Sequence, residues 1–231
     1  MHKKCYSYAT LFVSFATISA TTTVQAGPKQ APTEQVQIVA EKMCCEGCAR
    51  KTSGQLYAAR GVRDVSVDLK SHTLTVALPK PNAAMLGQLW HAVEQGDGGP
   101  TKLVTTAATY TLIRPKVEAN LSQRQQAKLP LSIAVENLHC QGCAKKIAAQ
   151  LYALKGVTKV SVDMERETLF VEARPETQLS PWRLIDAVTQ AKERPIAVNG
   201  PYGTLAVKWA TERAPKNHEQ AQQSISGGLQ R

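Results

Sequence analysis

Slid along itself by 95 positions, the 231-residue chain matches without a gap. Cys45 falls on Cys140, Cys48 on Cys143 and Ala49 on Ala144. Leu56-Tyr57-Ala58 falls on Leu151-Tyr152-Ala153, and Val65-Ser66-Val67-Asp68 on Val160-Ser161-Val162-Asp163. Further on, Thr73-Leu74 meets Thr168-Leu169, and Ala92-Val93 meets Ala187-Val188. A single internal duplication of this length implies two homologous domains, each small and each with its own core, rather than a solenoid of short repeats.

The remaining segments follow from composition. Lys3 and Lys4 precede an apolar run, Leu11 to Ile18, and then Val24-Gln25-Ala26 ahead of Gly27. That is the pattern of a secretory signal peptide, residues 1–26, which predicts export to a periplasm or to the exterior. A short leader, 27–34, precedes the first domain, 35–113. The polar stretch 114–130, bracketed by prolines, reads as a linker. The second domain covers 131–210. The tail, 211–231, is rich in Gln, Ser and Gly and is expected to be disordered. No further apolar run is long enough to span a bilayer, so no stable membrane insertion is expected after signal cleavage.

Within each repeat the hydrophobic period switches. Val36, Ile38 and Ala40 alternate, as do Leu131, Ile133 and Val135, so each repeat opens with a strand. After the cysteines, Ala144, Ile147, Ala148 and Leu151 mark one face of a helix; the first copy places Ala49, Thr52, Ser53 and Leu56 there. Gly61 and Gly156 fit the stops of these helices. Two alternating runs joined by a polar turn follow, and then a second helix. Asn82 suits the cap of that helix in the first copy, and Ser180-Pro181 its start in the second. Each repeat ends in further β-like sequence, which Asn199-Gly200-Pro201-Tyr202-Gly203 divides into two short strands in the second copy. The order is βαββαβ twice, which predicts an α+β fold of two tandem ferredoxin-like domains, each an antiparallel sheet with two helices on one face.

Six cysteines are present. Cys5 leaves with the signal, and the other five form two tight groups, Cys44, Cys45 and Cys48, then Cys140 and Cys143. An odd number in local clusters is not a framework of long-range disulfides. Local thiol chemistry remains, either metal binding or redox exchange. The net charge of +10 could suit nucleic acid, but the basic residues are scattered and aromatics are few, so no nucleic-acid partner is expected. No Ser/His/Asp set, paired-acid motif or phosphate loop is present, so an enzyme is not expected.

M-x-C-x-x-C at a strand–helix junction, followed by G-V-x-x-V-x-V, resembles the heavy-metal-associated domain, the module of copper chaperones and of the N-terminal tails of metal-pumping ATPases. Met43, Cys45, Cys48, Gly61, Val62, Val65 and Val67 hold those places in the first copy. Leu138, Cys140, Cys143, Gly156, Val157, Val160 and Val162 hold them in the second, with Leu for Met. The resemblance implies a soft metal ion held by Cys45 and Cys48, and another by Cys140 and Cys143. A metal-transporting or metal-accepting protein is the partner it implies. The loops after the second helices, EQGDGGP and TQAKERP, lack the aromatic residue common in the family, and Lys192 there reads as an exposed side chain.

The residue types suit that chemistry. Thiolates are the ligands, and a helix N-terminus favours their charge. Gly47 and Gly142 leave the loops free to bring two sulfurs together. Two soft donors satisfy Cu(I), which this reading favours, or Hg(II); Zn(II) and Cd(II) are further candidates, although zinc prefers a fuller shell. Met43 and Leu138 read as packing. Cys44 and His139, in equivalent places just before the first motif cysteine, are candidate third donors. His72 and His91 read as surface residues. Two alternatives stand beside the metal carrier: a thiol-disulfide oxidoreductase or redox sensor using the same pairs, and a protein-interaction adaptor with vestigial sites.

Overall fold

A computed structural model describes residues 33–114, 131–174 and 176–211. The first repeat forms β1 (Thr33–Ala40), α1 (Glu46–Ala58), β2 (Asp64–Asp68), β3 (Thr73–Pro79), α2 (Ala83–Gln95), β4 (Pro100–Val104) and β5 (Ala108–Ile113). The second forms β6 (Leu131–Val135), α3 (Gln141–Tyr152), β7 (Val157–Asp163), β8 (Thr168–Ala173), α4 (Pro181–Gln190), β9 (Pro195–Gly200) and β10 (Gly203–Trp209). Each repeat is thus a ferredoxin-like βαββαβ unit with one added strand. The segment expected to be a signal peptide, nearly all of the expected linker and nearly all of the expected tail lie outside the described residues.

Period-two sequence builds the core directly. Val36, Ile38 and Ala40 on β1 and Leu74, Val76 and Leu78 on β3 are fully buried, and the residues between them face the open side of the sheet. The helices close the other side with Leu56, Leu86, Leu89 and Val93 in the first repeat, and Ile147, Leu151, Leu184 and Val188 in the second. Asn82 caps α2 by accepting from the Met85 N–H at 2.8 Å. Gly61 and Gly156 do not cap their helices directly. α1 and α3 end earlier, at Ala58 and Tyr152, and the glycines take φ of 86° and 97° in the turn that follows.

The added strands change how the repeats relate. All ten strands form one antiparallel sheet, in the order β2-β3-β1-β4-β5-β10-β9-β6-β8-β7. β5 folds back on β4, with the Thr105 N–H and hydroxyl both bonded to the Ala108 carbonyl across the turn. β10 folds back on β9 in the same way. The two new edges then pair with each other, from Thr204 opposite Ile113 to Trp209 opposite Ala108, so neither is left as an open template. Above that junction Trp182 of α4 packs against Trp90 of α2 and Tyr110 of β5, with ring centroids 5.5 and 5.0 Å away. Gly87 makes room for it, since a Cβ there would stand 2.7 Å from the Trp182 Cβ.

The strand order also sets where the cysteine loops open. From β1 to β6 the sheet passes through five antiparallel pairings, so these two strands run in opposite directions. Their C-terminal ends, which carry the loops, therefore lie at opposite ends of the sheet, offset by about 24 Å of sheet width at the usual strand spacing.

Candidate metal site

The first loop is anchored before it reaches its sulfurs. After β1 the Met43 N–H bonds back to the Ala40 carbonyl at 3.1 Å, and the Met43 side chain is fully buried beneath the loop. Its place as packing rather than ligand agrees with the sequence reading. The Met43 carbonyl lies 2.7 Å from His72 Nδ1. A carbonyl can only accept, so Nδ1 carries the proton in this contact. His72 is half-buried at a φ of 51°, and so is not the surface residue that the sequence suggested. Its counterpart in the second repeat is Glu167, and for that reason the duplication held no hint of its role. His91 is exposed, as expected, beside Glu94 and Gln95 of its own helix.

Cys45 occupies the N-cap position of α1, and its carbonyl accepts the Ala49 N–H at 3.0 Å. Its sulfur lies 3.4 Å from that of Cys48, and the Cys44 sulfur lies 3.8 Å from Cys48. The three ligand atoms all fall within 4.8 Å of one another. Cys44 and Cys45 are exposed and Cys48 is half-buried. The Cys45 sulfur does not close a cap hydrogen bond, yet the nearby Cys48 backbone N–H, and then the Cys48 and Cys44 thiols, hold its pKa below the ordinary thiol value. Cys44 moves the other way. It hydrogen-bonds toward the Cys48 and Cys45 sulfurs, and negative charge on them opposes its own ionisation. Of these two thiols Cys45 is therefore the readier to ionise.

The second loop uses the same frame with different fittings. Leu138 is buried in the place of Met43. Cys140 caps α3, and its sulfur accepts the Cys143 N–H at 3.0 Å. Cys140 and Cys143 are joined in a disulfide, whereas the first pair is reduced. His139 is exposed at the position equivalent to Cys44. The loop is tied to the strand beyond α4 through the Glu136 N–H and the Arg194 carbonyl at 2.8 Å, and through their half-buried side chains at 3.7 Å. In the first repeat the corresponding tie is backbone only, from Glu41 to Gly99 at 3.2 Å and from Lys42 to Gly98 at 2.9 Å.

Gly47 and Gly142 are demanded neither by conformation nor by close packing, since a Cβ at either would meet only ordinary van der Waals contact. Neither has a positive φ, so the loops do not depend on their conformational freedom. A Cβ would come to 3.8 Å from the Cys45 sulfur at Gly47 and 3.9 Å from the Cys140 sulfur at Gly142. The loops after α2 and α4 differ in charge at matching positions. Asp97 pairs with Lys51 of α1, which keeps its carboxyl below the usual range, and Lys192 is exposed in the second copy.

The donor chemistry fits a soft ion. With metal–sulfur bonds of about 2.3 Å, sulfurs around a single ion stand about 4.0 Å apart in a triangle and about 4.6 Å apart in line. The first loop holds its sulfurs near that range before any ion arrives; the second must be reduced first. Among the described residues, Cys44, Cys45 and Cys48 are the one group of three or more potential ligands drawn together. No helix among the described residues is long and apolar enough to cross a membrane.

Comparison with known proteins gives the family of both repeats. The heavy-metal-associated domain family matches residues 38–94 and 132–193, one match in each repeat. Heavy metal-associated isoprenylated plant protein 5 of Arabidopsis thaliana is 26% identical over 153 residues, covering 56% of this chain and 36% of that protein. The chain thus spans about a third of the length of this relative. Among solved structures, the N-terminal soluble domains of Bacillus subtilis CopA align with 74% of this chain and 95% of theirs, at 19% identity and a TM-score of 0.29. The N-terminal extension of Cupriavidus metallidurans CzcP aligns with 68% of this chain and 96% of its own, at 14% identity and a TM-score of 0.23.

Proposed function

Because this chain belongs to the heavy-metal-associated domain family, we propose that it is an exported carrier or buffer of soft metal ions, holding Cu(I) between Cys45 and Cys48 and, once reduced, between Cys140 and Cys143. The observation that carries the reading is the reduced Cys45–Cys48 pair, with sulfurs 3.4 Å apart at the start of a helix and open to an approaching donor or acceptor. Two soft thiolates complete a low-coordinate Cu(I) shell, and the helix N-terminus at which they sit favours the negative charge of the complex. With the loops at opposite ends of the sheet, each ion has its own site and its own route to a metal-accepting protein. Export rests on the signal-like residues 1–26.

Titration of reduced residues 27–231 with Cu(I) against a competing chelator tests this. Two tight equivalents are expected, falling to one in Cys45→Ser/Cys48→Ser. Binding no better than that of a cysteine-free variant would refute the carrier. The Cys140–Cys143 disulfide favours a second reading, in which the same pairs exchange electrons with substrate thiols. Efficient reduction of insulin disulfides by the metal-free protein would support that reading instead.

A further inference from the structure

The two loops are not two copies of one site. We propose that the first loop, besides holding Cu(I) between two thiolates, takes a soft divalent ion as a three-thiolate site, with Cys44 as the third ligand beside Cys45 and Cys48, while the second loop remains a two-thiolate site. The inference rests on the metal-binding reading above and adds to it a coordination number and an ion class.

Three observations carry it. The Cys44 sulfur already lies 3.8 Å from Cys48, and all three sulfurs fall within 4.8 Å of one another, close to the spacing of about 4.0 Å required around one three-coordinate ion. Cys44 is exposed and outside any disulfide, so it can close on the ion without unpacking the core. Met43 and His72 fix the backbone immediately before it, which limits how far its sulfur can swing away.

Charge then selects the ion. Two thiolates on Cu(I) leave one net negative charge. Three on a divalent ion leave the same, and three on Cu(I) leave one more. A third thiolate therefore adds most for Cd(II) or Hg(II), whose thiolate shells gain from another soft donor. Each bound thiol releases its proton to solvent, and no electron moves. In the second loop His139 stands in the equivalent position and supplies no thiolate.

The test loads the fully reduced protein with Cd(II), using a Cys140→Ser/Cys143→Ser background to isolate the first loop. Cadmium X-ray absorption counts the sulfurs, and thiolate-to-metal charge-transfer absorption follows binding. Three sulfurs are expected, falling to two in Cys44→Ser. Changes outside the ligand shell alone cost metal sites about 10–100-fold, so Cd(II) affinity should fall at least about tenfold while Cu(I) affinity stays within about threefold. An unchanged sulfur count and spectrum in Cys44→Ser would overturn the proposal. So would a third sulfur seen only when the protein dimerises, as judged by sedimentation at two concentrations. Loss of both Cu(I) and Cd(II) binding in the parent would instead defeat the carrier reading itself. Cys44 is exposed, so the serine variant is expected to fold; its circular dichroism serves as the control.

Discussion

The first cysteine loop keeps its sulfurs apart and the second has joined them. Both sit on the same strand–helix frame, and both have one apolar residue buried beneath, Met43 or Leu138. What differs is small and local. The first has an extra thiol and a histidine brace; the second has a disulfide and the Glu136–Arg194 pair. Duplication supplied two similar scaffolds, and their loops carry different thiol arrangements, three free sulfurs in the first and a disulfide in the second. The core keeps its alternation and helix stripes while its residues differ, as at buried Thr52 and its counterpart Ile147.

The largest expected effect exposes that difference directly. Without a reductant the protein should take up Cu(I) at the first loop only, and Cys45→Ser/Cys48→Ser should abolish uptake. Cys140→Ser/Cys143→Ser should leave it unchanged until dithiothreitol is added to the parent, which then gains its second equivalent. Chelator competition with and without reductant measures both. Equal uptake by the two loops in unreduced protein would erase the distinction.

A second experiment asks whether the loops depend on the junction between the repeats. Trp182→Ala removes the ring that packs on Trp90 and Tyr110, and burial of this kind is worth about 3–5 kcal/mol. Urea unfolding should show that loss, while the stoichiometry of metal at each loop stays the same, because both loops lie away from the junction. A cost below about 1 kcal/mol, the scale of a surface change, would mean that the tryptophans do not hold the repeats together.

That junction marks where reading the sequence stopped. Alternation at Val36, Ile38 and Ala40, the helix face at Ile147 and Leu151, and the offset of 95 residues between the cysteine pairs were enough for the fold of each repeat. They were silent on the pairing of β5 with β10, because a strand's sequence records which face is buried and not which edge finds a partner. Trp90 and Trp182 lie on helix faces that the apolar stripe did not distinguish from ordinary core. At the site, the repeat picked out Cys45 and Cys48 through their counterparts. The same comparison hid His72, whose counterpart is a glutamate, and it could not show that Cys44 folds back toward Cys48.

His72→Ala should sharpen the contrast between the loops. Removing a hydrogen bond to the Met43 carbonyl is expected to cost about 0.5–1.5 kcal/mol, and hydrogen exchange at residues 41–48 should quicken. Glu167→Ala, the same position in the other repeat, should leave residues 136–143 unaffected. If both variants behave alike, the histidine is not a brace.

The smallest effect lies within the first loop, between neighbouring thiols. The Cys48 backbone N–H, followed by the Cys48 and Cys44 thiols, lowers the pKa of Cys45, and the same cluster raises that of Cys44. A lowered pKa means that Cys45 is already thiolate at a pH where an ordinary thiol is still protonated; a raised one means that Cys44 ionises only above that range. Since the thiolate is the species that reacts, iodoacetamide labelling followed across pH should place the Cys45 midpoint below the ordinary thiol value and the Cys44 midpoint above it. Labelling in denaturant should bring the two together, because the helix end and the sulfur cluster are then gone. Cys140 and Cys143 should stay unlabelled in native protein at every pH until a reductant opens their disulfide. Native midpoints that coincide would show that the first loop does not organise its thiols, and the asymmetry between the loops would then reduce to the state of one disulfide.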